Sequence, residues 1–237
     1  MTALDLRGES LRRVYTDGAD QVIALDHASF HVPAGTTAAV VGPSGSGKST
    51  LMTILAGLQR PTSGRVLLGD TDLTALSETE LLAVRARTLA VVTQNADRNL
   101  LPYASADDNI RFAQRGARSR RKRQLPDPGH LLTRLGLGHL RDARTDQLSG
   151  GERQRLALAV GVASNPGILL ADEPTSQLDE TSRDRVIELL HHINTHFGVT
   201  ILAVTHDPYF SSRLGSQLNI AEGRLGAPDT HNQRNAL

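Results

Sequence analysis

Gly42-Pro43-Ser44-Gly45-Ser46-Gly47-Lys48-Ser49-Thr50 fits the pattern Gly-x4-Gly-Lys-[Ser/Thr] at every position. Glycines at this spacing let successive backbone N–H groups turn inward around phosphate oxygens, an approach that a Cβ would obstruct. Lys48 can then reach β- and γ-phosphates, and the Ser49 hydroxyl is placed to ligate Mg²⁺. A helix starting near Lys48 would aim its positive N-terminal end at the same oxygens. Leu148-Ser149-Gly150-Gly151-Glu152 is a second candidate phosphate loop. Ser149 and Glu152 have the spacing of a capping box, opening a helix that runs through Ala163. A box alone does not ask for two glycines in its first turn, where each costs about 1 kcal/mol against alanine. Bare glycines there leave N–H groups open to an anion, and Ser149 could donate to it as well.

The elements that must position these groups are legible as short apolar runs: Ala38–Val41, Leu89–Val92, Ile168–Ala171 and Thr200–Val204. The runs are continuous rather than alternating, which is the pattern of strands buried on both faces of a parallel sheet. Each stops at a polar group: the phosphate loop, Gln94, the pair Asp172-Glu173, and His206. Ligands of open α/β sheets bind beyond the carboxyl ends of the strands, so four such ends are expected to converge on one site. Residues 3 to 36 read as β-rich, with turns at Asp17-Gly18 and Pro33-Ala34-Gly35. Between Gln94 and Leu148 the character changes. Ala106–Gln114 and His130–Leu137 read as helices, and the region 95–165 is expected to be a helical subdomain inserted in the α/β core. One domain is expected over residues 1–226, followed by a polar, flexible tail over 227–237.

A chain of 237 residues can hold one domain with a substantial core. Its charge is close to balanced, at +1, so net electrostatics give no case for nucleic acid and no such partner is expected. The absence of cysteine excludes a disulfide framework and a thiolate metal site. No stretch approaches the roughly eighteen apolar residues of a membrane span, and Met1–Arg7 lacks the apolar core of a signal peptide. A cytoplasmic chain is expected, reaching a membrane only through a partner.

Taken in order, these motifs resemble those of the nucleotide-binding subunits of ABC transporters over nearly the whole length. Leu148–Glu152 stands at the family signature and Ser176-Gln177-Leu178-Asp179 at its D-loop; Gln94 matches the Q-loop and His206 the H-loop. The resemblance implies an α/β fold: a P-loop NTPase core with a mainly parallel sheet, an N-terminal antiparallel β subdomain and an inserted helical subdomain. It implies ATP and Mg²⁺ as ligands. Tyr15 would stack on adenine, though a strand tyrosine without that role fits the same position. Asp172 would organise Mg²⁺ with Ser49 and Gln94, Glu173 would be the general base for the attacking water, and His206 would contact the γ-phosphate. The signature loop would complete the site of the opposite protomer, so that two copies sandwich two ATP molecules in a homodimer bound to separate transmembrane permease subunits at the inner face of the membrane. With Glu173 and His206 both present, each site of such a homodimer is expected to hydrolyse ATP.

Asp72–Arg85 and Leu170–Thr175 resemble the lipoprotein-release, macrolide-export and cell-division branch, and the chain ends soon after His206, without the extra C-terminal domain of sugar importers. The readings that follow are export, extraction of lipids or lipoproteins, or transmission of force, including to a regulator of a cell-wall hydrolase. A soluble ABC protein of DNA repair or translation is the alternative of another class, but its usual coiled-coil insertion or second cassette is not seen. Three departures from the branch stand out: Thr93 where an aromatic is usual, Leu156–Ala163 after the signature, and Ser176-Gln177 before Leu178-Asp179. The basic run Arg115–Arg123 reads as a solvated loop or as a contact for anionic headgroups. Glu188, His192 and His196 share a helical four-residue spacing that suits a solvated face better than a metal site lacking further ligands.

Overall fold

Two long strands, β1 (Leu6–Asp17) and β2 (Asp20–Val32), form an antiparallel hairpin in a computed structural model that describes residues 3–18, 20–118 and 125–226. The hairpin reverses at Asp17-Gly18 as its residues predict. The second expected turn is closed by a 3.1 Å hydrogen bond from the Thr36 N–H to the Pro33 carbonyl, and it feeds β3 (Thr37–Val41). Next come α1 (Lys48–Leu55), β4 (Ser63–Leu68), β5 (Thr71–Asp72), α2 (Glu78–Thr88) and β6 (Leu89–Val92). Three helices then follow without an intervening strand among the described residues: α3 (Ala106–Arg118), α4 (Pro128–Arg134) and α5 (Gly150–Val162). The chain returns through β7 (Ile168–Asp172), α6 (Glu180–Phe197), β8 (Thr200–Thr205), α7 (Pro208–Ser211), β9 (Ser216–Ala221) and β10 (Arg224–Leu225).

The strands make two sheets, one of order β2-β1-β4-β5 and one of order β10-β9-β3-β8-β7-β6. The first is antiparallel throughout. In the second, β9, β3, β8, β7 and β6 run parallel, and β10 turns back on β9. The side-chain period of two explains the continuous apolar runs. Ala39, Leu169, Ala171, Ile201 and Ala203 face α3–α6 in one core. Their neighbours Ala38, Val40, Ile168, Leu170, Leu202 and Val204 face α1 and the antiparallel sheet in another. A strand with helices on one side and a second sheet on the other has no solvent face on which to place a polar residue.

The expected strands Ala38–Val41, Leu89–Val92, Ile168–Ala171 and Thr200–Val204 all lie in this parallel sheet. A fifth parallel strand, β9, went unread because only Leu218 and Ile220 of it are buried while Asn219 and Ala221 are exposed. The second expected helix begins and ends earlier than read. Asp127 caps it by accepting from the His130 N–H at 3.1 Å, Pro128 opens it, and it stops at Arg134 ahead of Gly136. The tail over 227–237 and residues 119–124 of the basic run lie outside the described residues. His192 and His196 stack on each other with ring centroids 4.0 Å apart, and no group of three or more potential metal ligands occurs among the described residues.

Leu170, fully buried at the centre of β7, is the place to test the sheet. Leu170→Ala should lower the unfolding free energy by about 2–5 kcal/mol, measured by urea denaturation of the chain without nucleotide.

Candidate active site

The loop after β3 wraps the start of α1 tightly. Gly47 has φ 103°, and a Cβ there would lie 2.3 Å from the Ala24 carbonyl of β2, so only glycine fits. As the N-cap of α1, Gly47 supplies no side-chain acceptor, and the first-turn N–H groups keep their donor capacity for an anion. The Lys48 ammonium donates to the carbonyls of Gly42 at 2.7 Å and Pro43 at 2.6 Å, which stretches its side chain along the loop. The Ser46 hydroxyl is buried with no hydrogen-bond partner.

Asp172 ends β7 and Glu173 follows it at φ 47°, a left-handed conformation that costs a non-glycine residue about 1–3 kcal/mol. The backbone there is held by the Glu173 N–H, which donates to the Val204 carbonyl of β8 at 2.8 Å. One carboxylate oxygen of Glu173 lies 2.7 Å from His206 Nδ1; the other accepts from the Thr205 hydroxyl at 3.2 Å and the His206 N–H at 3.4 Å. The Glu173 side chain is nearly buried and that of His206 is 70% exposed, so the carboxylate anchors an imidazole that stays open to solvent. Burial pushes the Asp172 carboxyl above its ordinary value; adjacent Glu173 adds to the effect and Lys48 opposes it.

A cleft of about 580 Å³ brings these groups together: Ser44, Gly45, Gly47, Lys48, Ser49, Thr50, Gln94, Asp172, Glu173 and His206 all line it. Ser49 and Thr50 also line a neighbouring hollow with Tyr15, Thr53, Leu58 and Gln59. Tyr15, in β1, donates its hydroxyl to Gln59 at 2.9 Å, and Arg13 covers its ring at 4.8 Å. A hydrogen bond with Thr50 is the largest influence on the phenol and holds it below its ordinary pKa. The sequence offered no sign of Thr205 or Gln59, whose roles depend on side chains distant in the chain.

Leu148–Glu152 stand apart from that cleft. Gly150 lines a second one of about 520 Å³, together with Gln94, Asp172 and Ser176-Gln177-Leu178. The capping box forms as read: the Ser149 hydroxyl accepts from the Glu152 N–H at 3.3 Å and donates to its carboxylate at 2.7 Å. The bond from the Ser149 hydroxyl, followed by one from the Ser149 N–H at 2.9 Å, keeps the Glu152 carboxyl below the ordinary carboxylate range. The two glycines differ in kind. Gly150 has open space where a Cβ would stand, but a Cβ on Gly151 would meet the Ser182 hydroxyl at 2.7 Å. Close packing against Ser182 of α6 gives the second glycine a steric reason of its own. Asp179 caps α6 by accepting from the Ser182 N–H at 2.8 Å, which with the Ser182 hydroxyl lowers its pKa. The Ser176 hydroxyl is buried without a partner, and Gln177 sits at φ 65°.

The family profile described as "ABC transporter" matches residues 25–176. The lipoprotein-releasing system ATP-binding protein LolD of Anaeromyxobacter dehalogenans is 38% identical, over 95% of this chain and 94% of that protein. LolD of Bordetella avium is 41% identical, over 93% of this chain and 95% of its own length. The methionine import ATP-binding protein MetN 1 of Yersinia pestis is 40% identical over 93% of this chain but 64% of that protein. Among solved structures, the ATP-binding cassette MJ0796, captured as a post-hydrolysis dimer bound to ADP and Pi, superposes with a TM-score of 0.82 at 26% identity, covering 96% of this chain and 99% of that one. CbiO1 of Clostridium perfringens, part of the ABC transporter complex cbiONQ, superposes with a TM-score of 0.82 at 28% identity, covering 95% and 88%.

The raised Asp172 pKa has a sign that can be checked. The folded chain holds this proton more tightly than the unfolded chain, so the contribution to stability is present at acid pH and is lost as pH rises from about 4 through the raised value. Asp172→Asn lacks the charge, so its Tm without nucleotide should overtake that of the native chain across this window and stay above it at neutral pH. Parallel Tm profiles for the two proteins would contradict the assignment.

Proposed function

The chain belongs to the ABC transporter family as an ATP-binding, ATP-hydrolysing subunit, and from that premise we propose that two copies close over ATP to drive a membrane complex that releases lipoproteins. One observation carries the catalytic part: the phosphate loop, Gln94, Asp172, Glu173 and His206 line one cleft, while Leu148–Glu152 lie outside it. Gly150 borders a neighbouring cleft rather than the one lined by the phosphate loop, which leaves the signature loop free to serve a second copy, and MJ0796 is a dimer in its ADP-bound state. LolD relatives matched nearly end to end support lipoprotein release. Methionine import is the second reading, supported by the similar identity to MetN. No helix among the described residues is long and apolar enough to cross a membrane, so the location we propose is the inner membrane face, held there by a separate permease.

In this reading Tyr15 stacks on adenine, Gly42–Thr50 hold the phosphates and Lys48 moves from its carbonyls to the β- and γ-oxygens. Leu148–Glu152 and Ser176–Asp179 face the opposite nucleotide. Glu173 takes the proton of the attacking water, with its carboxylate aimed by Thr205 and His206; His206 offers its second ring nitrogen to the γ-phosphate. The residues also fit Mg²⁺. Ser49, Gln94 and Asp172 bring oxygen donors to one cleft, and the partly buried Asp172 carboxyl would gain from a cation beside it. A set this small suits an ion that shares its coordination with phosphates and water. Held by Ser49, Gln94 and Asp172, the ion would supply positive charge against the transferred phosphate.

Glu173→Gln should lower kcat for ATP hydrolysis about 10²–10⁴-fold while ATP-driven dimerisation survives, as read by turnover and sedimentation. Near-native turnover would remove Glu173 as the base. Purified from native membranes in mild detergent, the same variant should bring a multi-pass membrane protein in about equal amount. An outer domain on that protein that binds lipoproteins supports release, and a methionine permease supports import. A soluble partner alone would overturn both.

A further inference from the structure

One guanidinium joins the segment after β6 to the loop that opens α5. Arg153 Nη1 donates to the Leu148 carbonyl at 2.6 Å, and its Nε lies 3.0 Å from Asp97 Oδ1. Leu148 is buried, so its carbonyl is fixed to the core, whereas Asp97 stands free of the core on a short 3-10 turn, Ala96–Asn99.

That turn is tied by its own polar side chains to Thr93 and Asn95, the residues on either side of Gln94. The Thr93 N–H donates to Asn99 Oδ1 at 3.2 Å, and Asn99 Nδ2 donates to the Thr93 hydroxyl at 3.1 Å and the Asn95 carbonyl at 3.0 Å. The Asp97 N–H donates to Asn95 Oδ1 at 2.9 Å. These bonds make residues 93–99 one block, and a displacement of Gln94 carries Asp97 with it. Thr93 therefore has a use of its own: its hydroxyl closes the block at a position where the branch resemblance leads one to expect an aromatic. Arg153, Gln94, Gly150 and Asp172 all line the 520 Å³ cleft.

We infer that Arg153 is a positioning residue, a strut through which the place of Gln94 at one nucleotide sets the Leu148–Gly150 loop that faces the other. A planar fork with fixed donor directions can hold a carbonyl and a carboxylate at once, which an ammonium on a flexible stem cannot reproduce. The strut rests on the loop roles proposed above. An exposed ion pair contributes little to stability, so the effect belongs in turnover and closure rather than in folding.

The test uses the full chain, with ATP turnover of the otherwise native protein and ATP-driven dimerisation in the Glu173→Gln background. Arg153→Gln should lower kcat about tenfold and raise the ATP concentration needed for dimerisation, while ATP affinity of the separated subunit stays within about twofold. Arg153→Lys should recover only part of the loss. Arg153→Gln combined with Asp97→Asn should fall no further than Arg153→Gln alone, because both break one connection. Native kcat in Arg153→Gln, losses that multiply in the double variant, or ATP affinity that falls together with kcat would each overturn the strut. If Glu173→Gln itself fails to dimerise with ATP, the two-copy reading falls and the strut with it.

Discussion

Burial of the parallel sheet on both faces is the constraint from which the site follows. Helices cover one side of β3, β7 and β8, and α1 with the antiparallel sheet covers the other. Midway along these strands a polar side chain would be desolvated without a partner, at a cost of about 1–3 kcal/mol or more. The buried Thr37, Thr200 and Thr205 stand at strand ends, where their hydroxyls find partners. Polar chemistry is therefore pushed to the carboxyl ends, where the chain leaves the sheet and backbone donors open toward solvent. Asp172 ends β7, Glu173 and His206 directly follow β7 and β8, and Lys48 closes the loop after β3, so they meet at the ends of the strands and not because they are near in sequence.

The converging groups are held in arrangements that oppose folding. Glu173 occupies a left-handed backbone, and Asp172 keeps a carboxyl where burial resists its charge. The Ser46, Thr175 and Ser176 hydroxyls are buried without partners. The apolar sheet behind them, with Leu169, Leu170, Ile201 and Leu202 fully buried, offsets these costs. Such opposition is the expected mark of a site shaped for a ligand that brings its own charge and hydrogen-bond acceptors.

Much of this was legible in the residues. The strands Ala38–Val41, Leu89–Val92, Ile168–Ala171 and Thr200–Val204 were readable because two-sided burial leaves no alternation to misread. The phosphate loop was readable because few other needs put Gly47, Lys48 and Ser49 in a row. What escaped depends on long-range contact. The alternating β9 is half exposed and only its pairing with β3 makes it a strand of the sheet. Gly151 reads as an open donor, and the approach of Ser182 from another helix gives it a steric reason that residue types do not carry. The pairing of Glu173 with Thr205, and of Tyr15 with Gln59, joins residues whose types alone carry no such signal.

The contact between Gly151 and Ser182 has a mechanical consequence. The same Ser182 that packs against Gly151 at the start of α5 is held by Asp179, the N-cap of α6, through both its N–H and its hydroxyl. Two segments that look independent along the chain thus meet at one serine, with no room for a methyl group between them. A surface that touches both meets them at a spacing set by direct packing, so a bulkier residue at that contact would reset both at once.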